Sequence, residues 1–302
     1  MNLALEGTLP FQNAAILNYA ENAGFQLSGL LSIAGTAPVQ FSGILNYSGA
    51  TEKTVQLAGL VNISRNQTRG AQLAGLVNFA HGGTLPFQAG VILNYAENAG
   101  FQLGGILNIV GNTSVQIGTV LNIAKNVSGL QLGLINIAEN NEGVAIGLIN
   151  IVKNGGKREF EIAGSETVNT ELSFRLGTNR FYSVFIVGAI FLDLSFDFTY
   201  GAGFGTHIGI ADTWSTQVEV RTYSFLDSSI SMLHQLRITV EKSFLSSKLK
   251  VFAGPVLNVA VSDDKNSDGE YEFRFTPYSI WSGGNSHVGV NIWVGAVAGL
   301  RF

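Results

Sequence analysis

The chain has 302 residues, of which 13% are charged, and a net charge of −4 at neutral pH. Soluble domains carry about 25% charged residues, and an acidic balance gives no basis for nucleic-acid binding. The absence of cysteine excludes disulfides and thiolate metal sites. No uninterrupted apolar run approaches the roughly 18 residues of a membrane helix. Because closed barrels are the other way to satisfy every backbone group in lipid, this composition favours an all-β protein at a membrane.

Residues 1–156 repeat a short unit in which a Gln, an apolar run with glycine and an Asn follow one another, as in Gln56-LAGLV-Asn62. The Asn position recurs at intervals of 14 or 16 residues and defines ten units. It is occupied by Asn18, Ser32, Asn46, Asn62, Asn78, Asn94, Asn108, Asn122, Asn136 and Asn150. A longer duplication places Gly7-TLPFQ and Gly83-TLPFQ 76 residues apart, which is five units. A fixed internal period predicts a repeat architecture.

Each unit contains an uncharged stretch rich in Val, Ile and Leu, which indicates a strand, between charged turns. Two arrangements fit. Each unit is either one coil of a parallel β-solenoid, with the amides stacked in a ladder, or one strand of an antiparallel membrane meander. Barrel strands alternate in direction, so a barrel should repeat every two strands, whereas this period is one unit. We therefore favour the solenoid, in which the stacked amides satisfy one another's hydrogen bonds. A soluble solenoid would leave one uncharged face exposed as a sticky surface.

The composition changes at Gly155-Gly156-Lys157, and residues 157–302 are predicted to form an eight-stranded antiparallel membrane β-barrel. The candidate strands lie near 157–163, 167–177, 180–191, 195–209, 214–226, 232–245, 248–262 and 286–302. Charged residues of balanced sign alternate with apolar ones and are predicted to face the interior: Glu171, Arg175, Glu219, Arg221, Arg237, Glu241 and Arg301. Side chains fill a barrel of this size, so it would carry no open channel. The alternative is one barrel of about 18 strands, wide enough for a pore.

The terminal strand carries the clearest alternation. From Val288 to Phe302 every second residue is apolar, and the interleaved residues are mostly small or polar. The strand is long enough to cross a bilayer, which takes about 9–11 residues. The predicted turns at one end of the barrel are short, and the longest connection, 262–285, lies at the other end. This asymmetry is typical of outer-membrane barrels.

Candidate chemical sites are sparse. Asp264, Asn266 and Asp268-Gly269 match the front of a calcium loop, but Phe275 stands where the bidentate Glu belongs, so calcium is a weak hypothesis. His207, Asp212 and Ser215 lie near one predicted turn without a catalytic spacing. The glycines of Tyr200-GAGFGTH lack the following helix of a phosphate loop and are better explained by crowding inside a narrow barrel. We assign no catalytic residue and no cofactor, and we predict that the protein is not an enzyme.

The repeat, in forms such as Leu130-QLGLINIAEN and Val144-AIGLINIVKN, resembles that of Gram-negative surface-repeat proteins, in which such arrays precede a β-rich C-terminal domain. Lys248-LKVFAGPVLNVAVSDD and the terminal strand resemble the ends of small outer-membrane barrels. The resemblance implies an outer-membrane or cell-surface location, and recognition of the strand ending at Phe302 by the barrel-assembly machinery. The expected partners are the outer-membrane lipid bilayer and other envelope proteins, and the expected role is structural or adhesive.

Two alternatives remain open at this stage: a large transport channel and a secreted soluble repeat adhesin. Met1 to Glu6 show no signal-peptide pattern. An outer-membrane location therefore requires that the sequence is a mature chain or a piece of a longer one.

Overall fold

The computed structural model describes residues 1–50, 53–66, 69–192, 195–226, 231–244, 249–266, 269–271, 273 and 276–302. The chain is all-β, as predicted, and divides into two compact units, Met1–Gly155 and Gly156–Phe302. We call them the array and the barrel. Within the described part of the chain, no helix has the length and apolar character that a membrane span requires.

The array is a parallel β-solenoid in which each coil stacks on the next. Its strands are β1 (Asn2–Ala14), β2 (Leu17–Ser28), β3 (Leu31–Thr36), β4 (Val39–Ser42), β5 (Leu45–Ala50), β6 (Lys53–Ala58), β7 (Val61–Arg65), β8 (Arg69–Ala74), β9 (Val77–His81), β10 (Leu85–Gly90), β11 (Leu93–Gly104), β12 (Leu107–Gly118), β13 (Leu121–Leu132), β14 (Ile135–Asn141), β15 (Val144–Ile146) and β16 (Ile149–Asn154). Equivalent residues of neighbouring coils pair in register, for example Asn94 with Asn108 and Gln102 with Gln116.

The parallel pairing decides between the two arrangements that the repeat allowed. A meander joined to the barrel needs antiparallel neighbours, whereas the described array strands pair in parallel, as β11 does with β12 and β12 with β13. The solenoid is therefore confirmed, and the alternative of one barrel with about 18 strands is wrong. The transport channel built on that alternative loses its structural basis.

Two details of the array were not predicted. Asn2 pairs in register with Asn18, so the ladder has eleven positions instead of ten. The last coils have a shorter run between Gln131 and Asn136, and a bulge compensates for it: β13 carries one extra residue opposite the step from Thr113 to Val115 of β12. Because the bulge absorbs the extra residue, both amide positions stay in register with the coils before them.

The C-terminal unit is a closed antiparallel barrel of eight strands, as predicted. Its strands are β17 (Lys157–Ser165), β18 (Thr170–Gly177), β19 (Tyr182–Leu192), β20 (Ser195–Ala211), β21 (Trp214–Phe225), β22 (Ser231–Phe244), β23 (Leu249–Ser262) and β25 (Gly289–Arg301), with an unpredicted short strand, β24 (Trp281–Gly284), before the last. Each strand pairs with the next, and β25 closes the ring on β17 through Glu161 to Ser165.

Candidate functional site

The outer surface of the barrel is apolar. Large apolar side chains point outward from strand after strand, and several keep half of their surface or more exposed, such as Phe160 (57%), Leu172 (52%) and Val187 (57%). Further exposed members of this surface are Phe198, Phe204, Ile208, Val220, Leu236, Ile238, Val240, Val251, Leu257, Val294 and Leu300. The alternation predicted for the terminal strand is confirmed, because Trp293 and Arg301 are buried while Val294 and Leu300 are exposed.

The interior of the barrel holds a buried ion-pair network. Arg175 lies 2.5 Å from Glu161 and 2.7 Å from Glu219, and Arg221 contacts the same two glutamates at 2.9 and 2.5 Å. Arg221 also lies 2.6 Å from Glu171. All five side chains are 0–1% exposed. Each guanidinium therefore replaces its lost water with carboxylate partners, which a buried charge requires.

The network is extended by two further arginines on the neighbouring strands. Arg237 lies 2.6 Å from Glu171, and Arg301 bridges Glu161 at 2.6 Å and Glu241 at 2.8 Å. The four arginines (Arg175, Arg221, Arg237 and Arg301) balance the four glutamates (Glu161, Glu171, Glu219 and Glu241) in charge. All seven charges predicted to face inward are buried there.

Glu161 was missed by the sequence prediction although it is central, since three arginines donate hydrogen bonds to it. The alternation Lys157, Glu159, Glu161 was a usable signal on β17. It was weakened by Arg158, a charged residue at a position of the opposite face.

The other half of the barrel interior is filled by apolar and aromatic side chains. Val184, Ile186, Ile190 and Trp293 are buried in one cluster, and Phe273 packs against it. Two tyrosines join the halves. Tyr182 Oη lies 2.9 Å from Glu219 Oε1, and Tyr223 Oη donates to Glu171 Oε2 at 2.9 Å. Such filling is expected for a barrel of eight strands.

The glycine-rich stretch that follows Tyr200 lies inside β20, where it makes room for the network. A Cβ on Gly205 would lie 2.7 Å from both the Tyr182 ring and the Glu219 side chain. This contact supports the crowding explanation, since the position has no space for a larger residue.

The array also has polar side chains inside and apolar side chains outside, and its buried polar side chains are mainly amides. Each buried Gln donates to the Gln of the coil before it, as from Gln72 Nε2 to Gln56 Oε1 at 2.7 Å and from Gln102 to Gln88 at 2.8 Å. The Gln ladder consists of Gln12, Gln26, Gln40, Gln56, Gln72, Gln88, Gln102, Gln116 and Gln131. The prediction that the amides satisfy one another is confirmed.

The Asn ladder runs in the opposite direction, because its amides from Asn46 to Asn136 each donate to the Asn of the following coil. Asn94 Nδ2 donates to Asn108 Oδ1 at 2.9 Å, and Asn108 Nδ2 donates to Asn122 Oδ1 at 2.8 Å. The same amide nitrogen also donates to a backbone carbonyl on the other side of the coil, as Asn108 Nδ2 does to the Ile117 carbonyl at 3.0 Å. The amides therefore hold the two sides of each coil together, and small apolar side chains such as Ala80, Ala96 and Ala124 are buried in a cluster inside the array.

The outward positions of the array are apolar on both faces. In the coil of β6 and β7, Gln56, Ala58 and Asn62 are buried, while Leu57 and Leu60 are 46% and 41% exposed. The corner between the two faces is formed by Ile16, Leu30, Ile44, Leu60, Leu76, Ile92, Ile106, Val120, Leu134 and Leu148. The array therefore exposes two apolar faces instead of the one that was predicted. We call these two faces and the corner between them the wedge.

The opposite edge of the array is polar. A third amide ladder runs there, in which Asn112 donates to Asn98 and Asn126 to Asn112, both at 2.6 Å. These residues, with Ser114 and Ser128, line a groove of about 430 Å³.

The calcium hypothesis remains untested by the structure. Asp264 and Asn266 lie in the connection between β23 and β24, where Asn266 Oδ1 accepts the Glu270 N–H at 2.9 Å. Asp268 lies outside the described residues, so the predicted ligand set is incomplete there. Among the described residues, no group of three or more His, Asp or Glu side chains could hold a metal ion.

The three residues near the β20–β21 turn do not form a catalytic relay. Ser215 Oγ donates to Glu241 Oε1 at 2.7 Å, and His207 Nε2 lies 3.5 Å from the same oxygen. A nucleophilic serine donates to the histidine instead. Asp212 occupies the exposed turn.

The chain matches no family model, no curated protein and no solved structure.

Proposed function

We propose that the protein is a non-enzymatic outer-membrane protein whose barrel anchors it in the bilayer and whose array serves a structural, adhesive or partner-binding role at the cell surface. The carrying observation is the inverted polarity of the barrel, in which nine charged side chains are buried inside and large apolar side chains cover the outside. Exposing such a band to water is unfavourable, whereas lipid removes the cost.

The dimensions of the barrel support the same proposal. Seven of the eight strands have between 9 and 17 residues, and β18 has 8. A strand of about 9–11 residues tilted by about 45° crosses the hydrocarbon core. The closed ring of backbone pairing leaves few unpaired peptide groups to face lipid. The ion-pair network and the apolar cluster fill the interior, which favours an anchor over a pore.

The test is to refold the full chain in detergent micelles and compare the gel mobility of unboiled and boiled samples. We expect a heat-dependent shift, because closed barrels resist the detergent until they are heated. In vesicles, Leu236→Arg should lower the unfolding free energy by about 2–4 kcal/mol, the cost of an arginine at the bilayer midplane. Asp212→Arg, in the exposed turn, is the matched control and should have little effect. A chain that stays soluble without detergent and shows no shift would favour the soluble adhesin.

The terminal strand supports a proposed partner, the barrel-assembly machinery. Phe302 exchanges backbone hydrogen bonds with Phe160 at 2.9 and 3.0 Å, and its ring is exposed. We expect Phe302→Ala to reduce the amount of barrel assembled in a Gram-negative host. Refolding in vitro should be nearly unchanged, since the backbone pairing survives. Equal losses in both assays would indicate a purely structural role for the residue.

A further inference from the structure

The array, like the barrel, has polar side chains inside and apolar side chains outside. Because it is a solenoid and not a membrane-spanning barrel, its exposed apolar faces need a separate explanation. Its two apolar faces meet at the aliphatic corner, and the amides that a water-exposed surface would display are turned inward. Exposed apolar patches of this extent mark interaction sites. The placement of the charged residues indicates the occupant.

The described charges of the array lie at the edge opposite the corner. Six of them occupy one column, three residues after the ladder Asn of their coils: Glu21, Arg65, Glu97, Lys125, Glu139 and Lys153; His81 lies in the same column. Neighbours along this column pair with one another, as His81 does with Glu97 at 3.0 Å and Lys153 with Glu139 at 3.5 Å. Glu6, Lys53, Arg69 and Glu142 lie at the same edge, away from the apolar faces. The wedge therefore has one charged edge along its whole length.

In the coils up to Phe101, the apolar residue types are also ordered by their distance from the charged edge. The corner column contains only Leu, Ile and Val. The aromatic residues occupy columns nearer the charged edge, where Phe79 stacks on Tyr95 at 4.6 Å and Phe87 on Phe101 at 5.5 Å. Aliphatic residues at depth and aromatic residues at the boundary are the order found in proteins embedded in membranes.

The backbone at the corner is already paired. Leu76 N donates to the Leu60 carbonyl at 3.0 Å, and Ile92 N donates to the Leu76 carbonyl at 2.9 Å. Peptide groups at the corner can therefore enter hydrocarbon without losing hydrogen bonds to water, which is the strictest requirement of that environment.

We infer that the array is immersed in one leaflet of a lipid bilayer, with its corner among the acyl chains and its charged edge in the headgroups. From Leu60 to Arg65 the chain advances five residues, about 16 Å along a strand, and one leaflet provides about 15 Å of hydrocarbon. The eleven stacked positions extend for about 48 Å at about 4.8 Å per step. Because the charged edge follows this whole length, the array lies along the membrane plane and does not cross it.

The absence of cysteine allows single nitroxide labels in the full-length chain. Leu134→Cys and Leu76→Cys place the label at the corner in two different coils, and Lys125→Cys places it at the charged edge. Leu236→Cys, on the barrel exterior, reports barrel insertion separately. In phosphatidylcholine vesicles, the accessibility of each label to oxygen is compared with its accessibility to a water-soluble nickel chelate.

We expect corner labels to be several-fold more accessible to oxygen than to the nickel chelate, and the Lys125 label to show the reverse. Nickel access at both corner positions would refute the inference, even if the Leu236 label is in lipid. Immobilised corner labels that neither reagent reaches would also overturn it and identify protein, such as a second copy of the chain, as the occupant. Nickel access at Leu236 together with oxygen access at the corner would refute the proposed barrel anchor instead.

Discussion

The Asn ladder has one gap, at Ser32, and repairing it should stabilise the array. Ser32 Oγ lies 2.8 Å from Ser28 Oγ and reaches neither neighbouring ladder amide. Asn46 Oδ1 is buried and has no hydrogen-bond donor among the described residues. Asn18 Nδ2 makes one good bond, to the Leu27 carbonyl at 2.7 Å, and a long one of 3.4 Å to the Gln12 carbonyl. An Asn at position 32 would donate to Asn46 and accept from Asn18.

The double change Ser28→Ala with Ser32→Asn therefore completes the ladder, and it removes the Ser28 hydroxyl, which would otherwise lose its hydrogen bond to Ser32. Ala is already tolerated next to the ladder at Ala58 and Ala74, the equivalent positions of two later coils. A buried unsatisfied acceptor costs about 1–3 kcal/mol, and a typical hydrogen bond contributes about 0.5–1.5 kcal/mol net. Fixing the longer Asn side chain consumes part of the gain. We expect a net stabilisation of about 1–2 kcal/mol.

Native-state hydrogen exchange is the appropriate measurement, because the stability of a repeat array is a sum of local terms. Amides in the coils next to position 32 should exchange about five- to thirtyfold more slowly, the factor for 1–2 kcal/mol. Distant coils near Asn136 should be unchanged. Asn108→Ser is the mirror control, since it creates the same gap in a continuous stretch and should accelerate exchange around it. Unchanged or faster exchange in the double variant would refute the ladder account.

Two further predictions concern the barrel interior. Glu161→Gln should lower the free energy of unfolding by about 3–5 kcal/mol, because three arginines lose a charged partner. Urea titrations followed by Trp fluorescence measure this change, with Asp212→Asn as the exposed control. Equal stabilities of the two variants would contradict the stabilising role of the network. Gly205→Ala should lower the free energy of unfolding by about 1–3 kcal/mol, because the new Cβ would clash with the Tyr182 ring. Gly209→Ala, with open space around it, should leave the stability unchanged. Similar losses of stability at both positions would show that backbone flexibility is decisive.

The positions of the repeats and of most barrel strands could be predicted from the sequence, since both depend on local alternation. Ladder positions from Asn18 to Asn150 follow from spacing alone, whereas Asn2 lacks the preceding Gln run that marked the others. The terminal strand was predicted from residue 286 and begins at Gly289. The three residues before it belong to the turn that joins β24 to β25.

The direction of strand pairing and the partners in the ion-pair network depend on long-range contacts. Parallel and antiparallel strands show the same alternation of residues, so the solenoid was favoured because the repeat has a period of one unit instead of the two-strand period of a barrel. Likewise, the balance of charges was visible, but nothing local reveals that Arg301 bridges Glu161 and Glu241. Those pairs are fixed only when the ring closes.

The opposite donor directions of the two buried ladders bear on how the array reached its present length. Gln amides point their N–H groups toward the first coil and Asn amides toward the last. Aligned amide dipoles add along a stack, so a single ladder would accumulate charge at its ends as it grew. Here each added coil contributes two opposed dipoles that largely cancel. The edge ladder is short and faces water, which screens it. Gene duplication could therefore insert five coils at once, as the repeated Gly7 and Gly83 segments record, without polarising the molecule.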